Sequence, residues 1–448
     1  MFETGGNSAS QEECMANMKD QYYLQSDKEN RVMFTLPDEW ACVHFVRPKE
    51  RSKNAPSVEQ MLREALVRID DVPQLKESAS PSKKVAIIVD DLTRPTPVTE
   101  ILGILLPYLD ERGYAPANVT IVVALGTHPR LTEEQLEKRL SKVILSSRRV
   151  VQHNAWQSDL VPVPIAGTNR VVKINPAVAQ ADLRIGISSI LPHPMAGFGG
   201  GPKIVFPGVS DFDSIKVHHP KNVLHPRAAV GVTKGNPFHE EIAEVAVAAG
   251  LHLSVNCVYD ASGSITSITA GNPANAFARA VEICFAELGH TFTDKVDLTI
   301  ASVFPHIHGN QLFKGLMPAS MVTREGGGVL LFAPLAEPIP PEFLNSLNRI
   351  REASGNKPAE YIRTSLEKGE AFLPEKPMDY NMAMTNVFIR PEMRVILVSQ
   401  EVSQQEATVM GMEHASSLEE GLARMKGAFP RARVAIFPAG GLIVPIMA

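Results

Sequence analysis

Three apolar runs of this chain end in side chains able to bind anions or move protons. Val85–Val89 leads into DDLTRPTP, with Asp90, Asp91 and Arg94; Val119–Leu125 leads into GTHP, with His128; Leu183–Ile190 leads into His193 and a glycine run closed by Lys203. The planar fork of an arginine matches a carboxylate in bidentate fashion, and Arg94 stands before a proline-opened helix start, where an anion also meets the helix dipole. An Asp–Arg pair that only fixes a turn is the competing reading. A single histidine at a strand end is more often satisfied by a carbonyl than catalytic. Two at equivalent strand ends are different, since they can face one substrate from opposite sides and move protons near neutral pH.

The glycine run Gly197, Gly199, Gly200 and Gly201 lets backbone approach a flat or phosphorylated ligand, yet its details exclude the common nucleotide loops. Pro202 precedes Lys203, and Ile204 replaces the Ser/Thr of a phosphate-binding P-loop; GxGxxG spacing is also missing. A lysine in this position, once deprotonated, can carry a covalent link to an electrophilic cofactor. Of the adjacent His218 and His219, at most one is expected to reach an ion, because neighbours on regular structure do not point at the same place. His225 and His239 read as turn and helix-start residues.

The elements that hold these groups alternate between short β-branched runs and longer helical patterns, which is the signature of parallel βα units. Further strands are expected at Leu298–Val303, Val329–Phe332, Val395–Ser399 and Val434–Phe437, with helices at Thr99–Leu109, Glu240–Ala249 and Ala274–Leu288. The fold expected is α/β, with two α/β domains of largely parallel sheet and the active site in the cleft between them. Ligands in such sheets sit beyond the carboxyl ends of the strands, where all three motifs fall. Residues 1–30 read as a flexible extension, 31–288 as the N-terminal catalytic and cofactor domain, and 289–448 as the C-terminal domain.

With 448 residues the chain exceeds the size of one core. A net charge of −5 argues against a nucleic-acid or anionic-membrane binder. Cys14, Cys42, Cys257 and Cys284 lack CxxC spacing, and no run of about 20 apolar residues occurs, so a cytoplasmic location is expected. HExxH is absent, which disfavours a zinc hydrolase built on the histidines.

Taken together, DDLTRPTP, GTHP, HPMAGFGGGPKIVFPGVS, KVHHP, GNPFHEE, AGNPANAF, HGNQLFKG and IFPAGGLIVP give the chain a specific resemblance. It resembles the lactate racemase family, the nickel-pincer nucleotide-dependent 2-hydroxy-acid racemases, over most of its length. The resemblance implies that Lys203 holds the nucleotide covalently through a thioamide, and that His219, sixteen residues later, completes the nickel coordination. It implies His128 and His193 as acid/base pair, and Arg94, Lys314 and Gln311 at the substrate. Asp91, Gly199, Gly200 and Gly201 fall on the cofactor side. One histidine would take the hydroxyl proton while hydride leaves the same carbon for the pyridinium ring, and the 2-oxo acid would be reduced again from its other face. Proteins that synthesise the cofactor are implied partners.

The chain departs from the family in its second half. Asn310 stands where a tyrosine is frequent and His306 where an acid is frequent, and Trp40 and Trp156, both early, leave the family's pocket tryptophan without a counterpart. The polarity of His306, His308 and Asn310 would suit a side chain larger or more anionic than methyl, with residues that only cap a turn as the competing reading. A sugar-acid epimerase with the same chemistry is therefore an alternative substrate reading, and a cofactor-binding protein without turnover is an alternative from another class.

Overall fold

A computed structural model describes residues 21–46, 56–67, 69, 72, 80–374, 376 and 392–448. Two six-stranded sheets dominate it. The first has the order Ile265–Gly271, Leu253–Tyr259, Leu183–Ile190, Val85–Asp90, Val119–Ala124, Arg149–Gln152. All its pairings are parallel except the outermost, Leu253–Tyr259 with Ile265–Gly271. The Val85–Asp90 strand is buried at every position, as a central strand covered on both faces must be. It lies between the strands that carry His128 and His193, so the three chemistry-bearing ends stand side by side.

The second sheet is parallel throughout, in the order Glu413–Ala415, Arg394–Val398, Thr323–Phe332, Val296–Ser302, Ala432–Phe437, Trp40–Phe45. The expected strands are all present, with ends shifted by a few residues. The helices at Val98–Glu111, Pro237–Ala248 and Pro273–Leu288 also fall where the apolar periodicity put them. The last two begin at Asn-Pro, the asparagine side chain capping the first N–H groups and the proline supplying a preset φ.

The start of the chain corrects the sequence reading. Part of the segment taken as a flexible extension is a strand, Gln21–Gln25, paired with Arg31–Thr35; residues 1–20 lie outside the described residues. Tyr22, Leu24, Phe34 and Trp40 are buried against Leu298, Ile300 and Ile396 of the second sheet. The Trp40 indole N–H donates to the Phe429 carbonyl at 2.7 Å, and Trp40–Phe45 forms that sheet's edge. Residues 21–45 thus pack with the unit that the sequence reading began at residue 289. Short runs flanked by polar residues hide such a role, because their partners lie at the far end of the chain.

Candidate active site

A cavity of about 180 Å³ opens at the carboxyl ends of the three central strands of the first sheet and is closed from the other side by residues 310–314. Asp91, Arg94, His128, His193, Gly200, Lys203, His219, Gln311 and Lys314 all line it. Gly199 and Gly201, the chain neighbours of Gly200, are buried and do not line it. The sequence reading thus placed residues from both halves of the chain at one cavity.

Asp91 and His128 form its most tightly bonded pair, with His128 Nδ1 2.5 Å from Asp91 Oδ2. The other carboxylate oxygen accepts from the Thr93 amide at 2.9 Å and from the Thr93 hydroxyl. Burial alone would raise the Asp91 pKa, but His128, Arg94 and Thr93 outweigh it and hold the carboxyl below its usual range. The carboxylate therefore stays charged and orients the ring. Arg94 is braced by the hydroxyl of Thr93 at 2.8 Å.

The loop that presents both residues is held by Arg139, which the sequence reading missed. This buried arginine of the Glu133–Ser147 helix donates to the carbonyls of Asp90 at 2.8 Å, Thr96 at 2.8 Å and Arg94 at 3.3 Å, and pairs with the Asp90 carboxylate. Asp90 is thus structural: its second oxygen accepts from Thr96 at 2.6 Å, and the Thr96 hydroxyl continues through Ser189 to Tyr259. A single arginine in an otherwise amphipathic helix carries no sequence signal for such a role.

His193 faces the cavity from a tight turn. Its Nδ1 accepts from the backbone N–H groups of Met195 at 3.3 Å and Ala196 at 3.1 Å. Burial, and then the charges of Lys203, Lys314 and Arg94, push its pKa far down, so the ring is neutral. Lys203 rides on the short 3₁₀ turn Gly201–Ile204. Burial, reinforced by Arg94, lowers its amine to about 7, which leaves a large neutral fraction at physiological pH.

The glycines before it are required locally. Gly200 and Gly201 have φ of 71° and 54°, and a Cβ would stand 2.3 Å from the Ser189 carbonyl oxygen and 2.2 Å from the Phe277 ring, respectively. The Gly201 amide donates to Ser188 at 2.8 Å.

His218 and His219 share the Phe212–Val223 helix but part company. His219 lines the cavity, whereas His218 turns its Nε2 to the Phe238 carbonyl at 3.1 Å and its Nδ1 to His219 Nδ1 at 3.1 Å. The carbonyl requires the proton of neutral His218 on Nε2, so its Nδ1 accepts from His219 Nδ1–H. His219 therefore keeps its lone pair on Nε2, the form in which an imidazole binds a metal. Among the described residues no three His, Cys, Asp or Glu side chains gather as a metal cage.

From the second half, the strand Val296–Ser302 leads to Gln311 and Lys314 at the start of the Leu312–Val322 helix. Gln311 Oε1 is buried without a hydrogen-bond partner, an acceptor awaiting a donor. Of the three polar departures only Asn310 lines the cavity. His308 points to Glu337 at 3.5 Å and buried His306 packs against Gly441, so neither lines the cavity. Trp40 is buried in the second sheet's core and Trp156 is exposed at the surface.

Residues 28–231 match the lactate racemase N-terminal domain family. The chain is 27% identical over 318 residues to the lactate racemase of Thermoanaerobacterium thermosaccharolyticum, covering 69% of this chain and 73% of that protein. It is 28% identical over 385 residues to the lactate racemase of Lactiplantibacillus plantarum, covering 83% and 87%. In fold it is similar to the lactate racemase apoprotein structure from T. thermosaccharolyticum, with a TM-score of 0.80 and 23% identity over 95% of this chain and all of that one. A protein from Thermotoga maritima is similar at a TM-score of 0.62 and 17% identity, over 89% of this chain and all of that one.

Proposed function

We propose that the chain, whose residues 28–231 match the lactate racemase N-terminal domain family, is an isomerase that racemises a small 2-hydroxy acid by reversible hydride transfer to a nickel-pincer nucleotide. The observation that carries this reading is the convergence of two imidazoles, Arg94, Lys314, a lysine amine near neutrality and the cavity-facing His219 on one cavity. The residues fit the cofactor. Lys203 supplies an uncharged amine for a covalent link, and His219 one neutral nitrogen for nickel. Gly199, where a Cβ would meet only the Leu191 carbonyl oxygen at 3.7 Å, leaves room for a flat group. When bound, the cofactor supplies an electrophilic ring that accepts hydride from the substrate's C2 and returns it.

Everything else falls to the protein. Arg94 and Lys314 bind the carboxylate, Gln311 accepts from a hydroxyl or amide, and His128 and His193 manage the proton on the substrate oxygen. One imidazole would take the hydroxyl proton as the substrate passes to the 2-oxo acid, and a proton would return to that oxygen from an imidazole when the hydroxy acid re-forms with the opposite configuration. Asp91 faces the ring that becomes cationic, so the charge arises beside a preplaced carboxylate. Asn310, replacing a larger ring, leaves space and a hydrogen-bonding amide where a substrate longer than lactate would extend; a sugar acid is the second reading on that ground. We place the protein in the cytoplasm with cofactor-synthesis proteins as partners; among the described residues no helix is long and apolar enough to cross a membrane. Protein co-produced with those partners, given separate D and L forms of lactate, larger 2-hydroxy acids and sugar acids, should interconvert at least one pair. Nickel-loaded protein that interconverts none would reject the reading.

A further inference from the structure

The two cavity imidazoles are held by opposite kinds of partner. His128 presents Nδ1 to a charged carboxylate, which only accepts; His193 presents Nδ1 to two backbone N–H groups, which only donate. We propose that His128 and His193 rest in opposite tautomers and so divide the work on the substrate oxygen, His128 taking its proton at Nε2 and His193 donating to it from Nε2–H. This rests on the function proposed above and assigns unequal roles to the two residues.

For His128, Asp91 fixes the proton on Nδ1, and Thr93 saturates the far side of the carboxylate so that it cannot swing away. With its Nδ1–H held by Asp91, Nε2 is the nitrogen that exchanges a proton with the substrate. When it takes the hydroxyl proton, the O–H bond breaks, an N–H bond forms, and the new cation faces Asp91. For His193 the local chain dictates the reverse. Pro194 bends the segment so that the amides of Met195 and Ala196, both buried, point back at the imidazole of His193. A proton on Nδ1 would set N–H against N–H twice and strand two buried donors. Lys203, Lys314, Arg94 and His219, the charged and titratable groups around it, further oppose a second proton on this ring. His193 thus meets a substrate oxygen as a hydrogen-bond donor, which polarises the 2-oxo form and holds the hydroxyl form with its proton toward His128.

Nitrogen-15 histidine NMR of the apoprotein at pH 7 tests the tautomers directly, with His128→Gln and His193→Gln used to assign the signals. The expected result is a protonated Nε2 with a bare Nδ1 for His193, and the converse for His128. A His193 ring protonated on Nδ1, or on both nitrogens, overturns the proposal. A second arm uses cofactor-loaded enzyme and lactate or the best-turned-over 2-hydroxy acid. The glutamine amide can replace a donor but not a base, so His193→Gln should stay within about tenfold of wild type while His128→Gln loses about 10²–10⁴-fold. Equal losses overturn the division of roles. Loaded wild type that turns over nothing rejects the proposed function instead, and the NMR arm then decides the tautomers alone.

Discussion

His218 Nδ1 lies 3.1 Å from His219 Nδ1, and the Phe238 carbonyl on the far side of His218 decides which ring donates. A backbone carbonyl two rings away therefore sets the lone pair that faces the cavity. Replacing His219 with alanine should abolish nickel retention in cofactor-loaded protein. His218→Ala should keep the metal but bind it about 10–100-fold more weakly, as expected for a lost orienting partner. Metal analysis after graded chelator challenge checks both, and wild-type nickel affinity in the His219 variant would remove that residue from the metal site.

Lys203 should carry a nucleotide-sized mass adduct in protein made with the cofactor pathway, and Lys203→Ala should lack it. In apoprotein the same amine should react with a small acylating reagent with a midpoint near pH 7 rather than near 10.5. The sign follows from burial: the folded state sheds the proton first, so the unfolded chain binds more protons between those values and Lys203's unfavourable effect on stability fades as pH rises through the window. A labelling midpoint near 10 would contradict the burial argument.

His128→Ala should lower racemisation by about 10²–10⁴-fold, and His193→Ala by less, while the adduct and the nickel remain in both. Asp91→Asn should mimic His128→Ala in rate, because an amide can offer its own N–H to Nδ1 and favour the wrong tautomer. Intact-protein mass and enantiomer ratio, measured on the same preparation, separate lost chemistry from lost cofactor.

Two neighbouring glycines should separate folding from loading. Gly200→Ala meets the Ser189 carbonyl at 2.3 Å with φ at 71°, and should cost at least about 1–3 kcal/mol of stability. Gly199→Ala meets only one atom, at 3.7 Å, and should leave the melting temperature of apoprotein nearly unchanged while reducing the adduct. Full loading of Gly199→Ala would show that the cofactor does not need that backbone bare.

Much of the cavity was legible because parallel strands put their loops at one end, so motifs far apart in sequence, at Asp91, His128 and His193, had to converge. What joins them was not. The sequence shows an aspartate and a histidine but not that Asp91 binds His128 rather than Arg94, nor that Arg139 ties the loop from another helix. His306 and His308 looked like pocket residues by proximity to Gln311, yet one or two residues of loop are enough to turn a side chain from the cavity into the core or toward Glu337. The hairpin of Gln21–Gln25 with Arg31–Thr35 escaped notice in a polar stretch, and the strand Trp40–Phe45 because its partner, Ala432–Phe437, is set by the whole topology and not by its neighbours.

That last pairing has a consequence for the order in which the molecule can be completed. Trp40 is synthesised well before its indole partner, the Phe429 carbonyl, which lies 389 residues later. The first sheet can be finished from strands ending at Gly271, but the edge of the second waits for nearly the whole chain. Through most of synthesis the nascent protein carries Tyr22, Leu24, Phe34 and Trp40 without the surface that will bury them. A chain cut short near its C-terminus would thus leave its own N-terminal strands sticky.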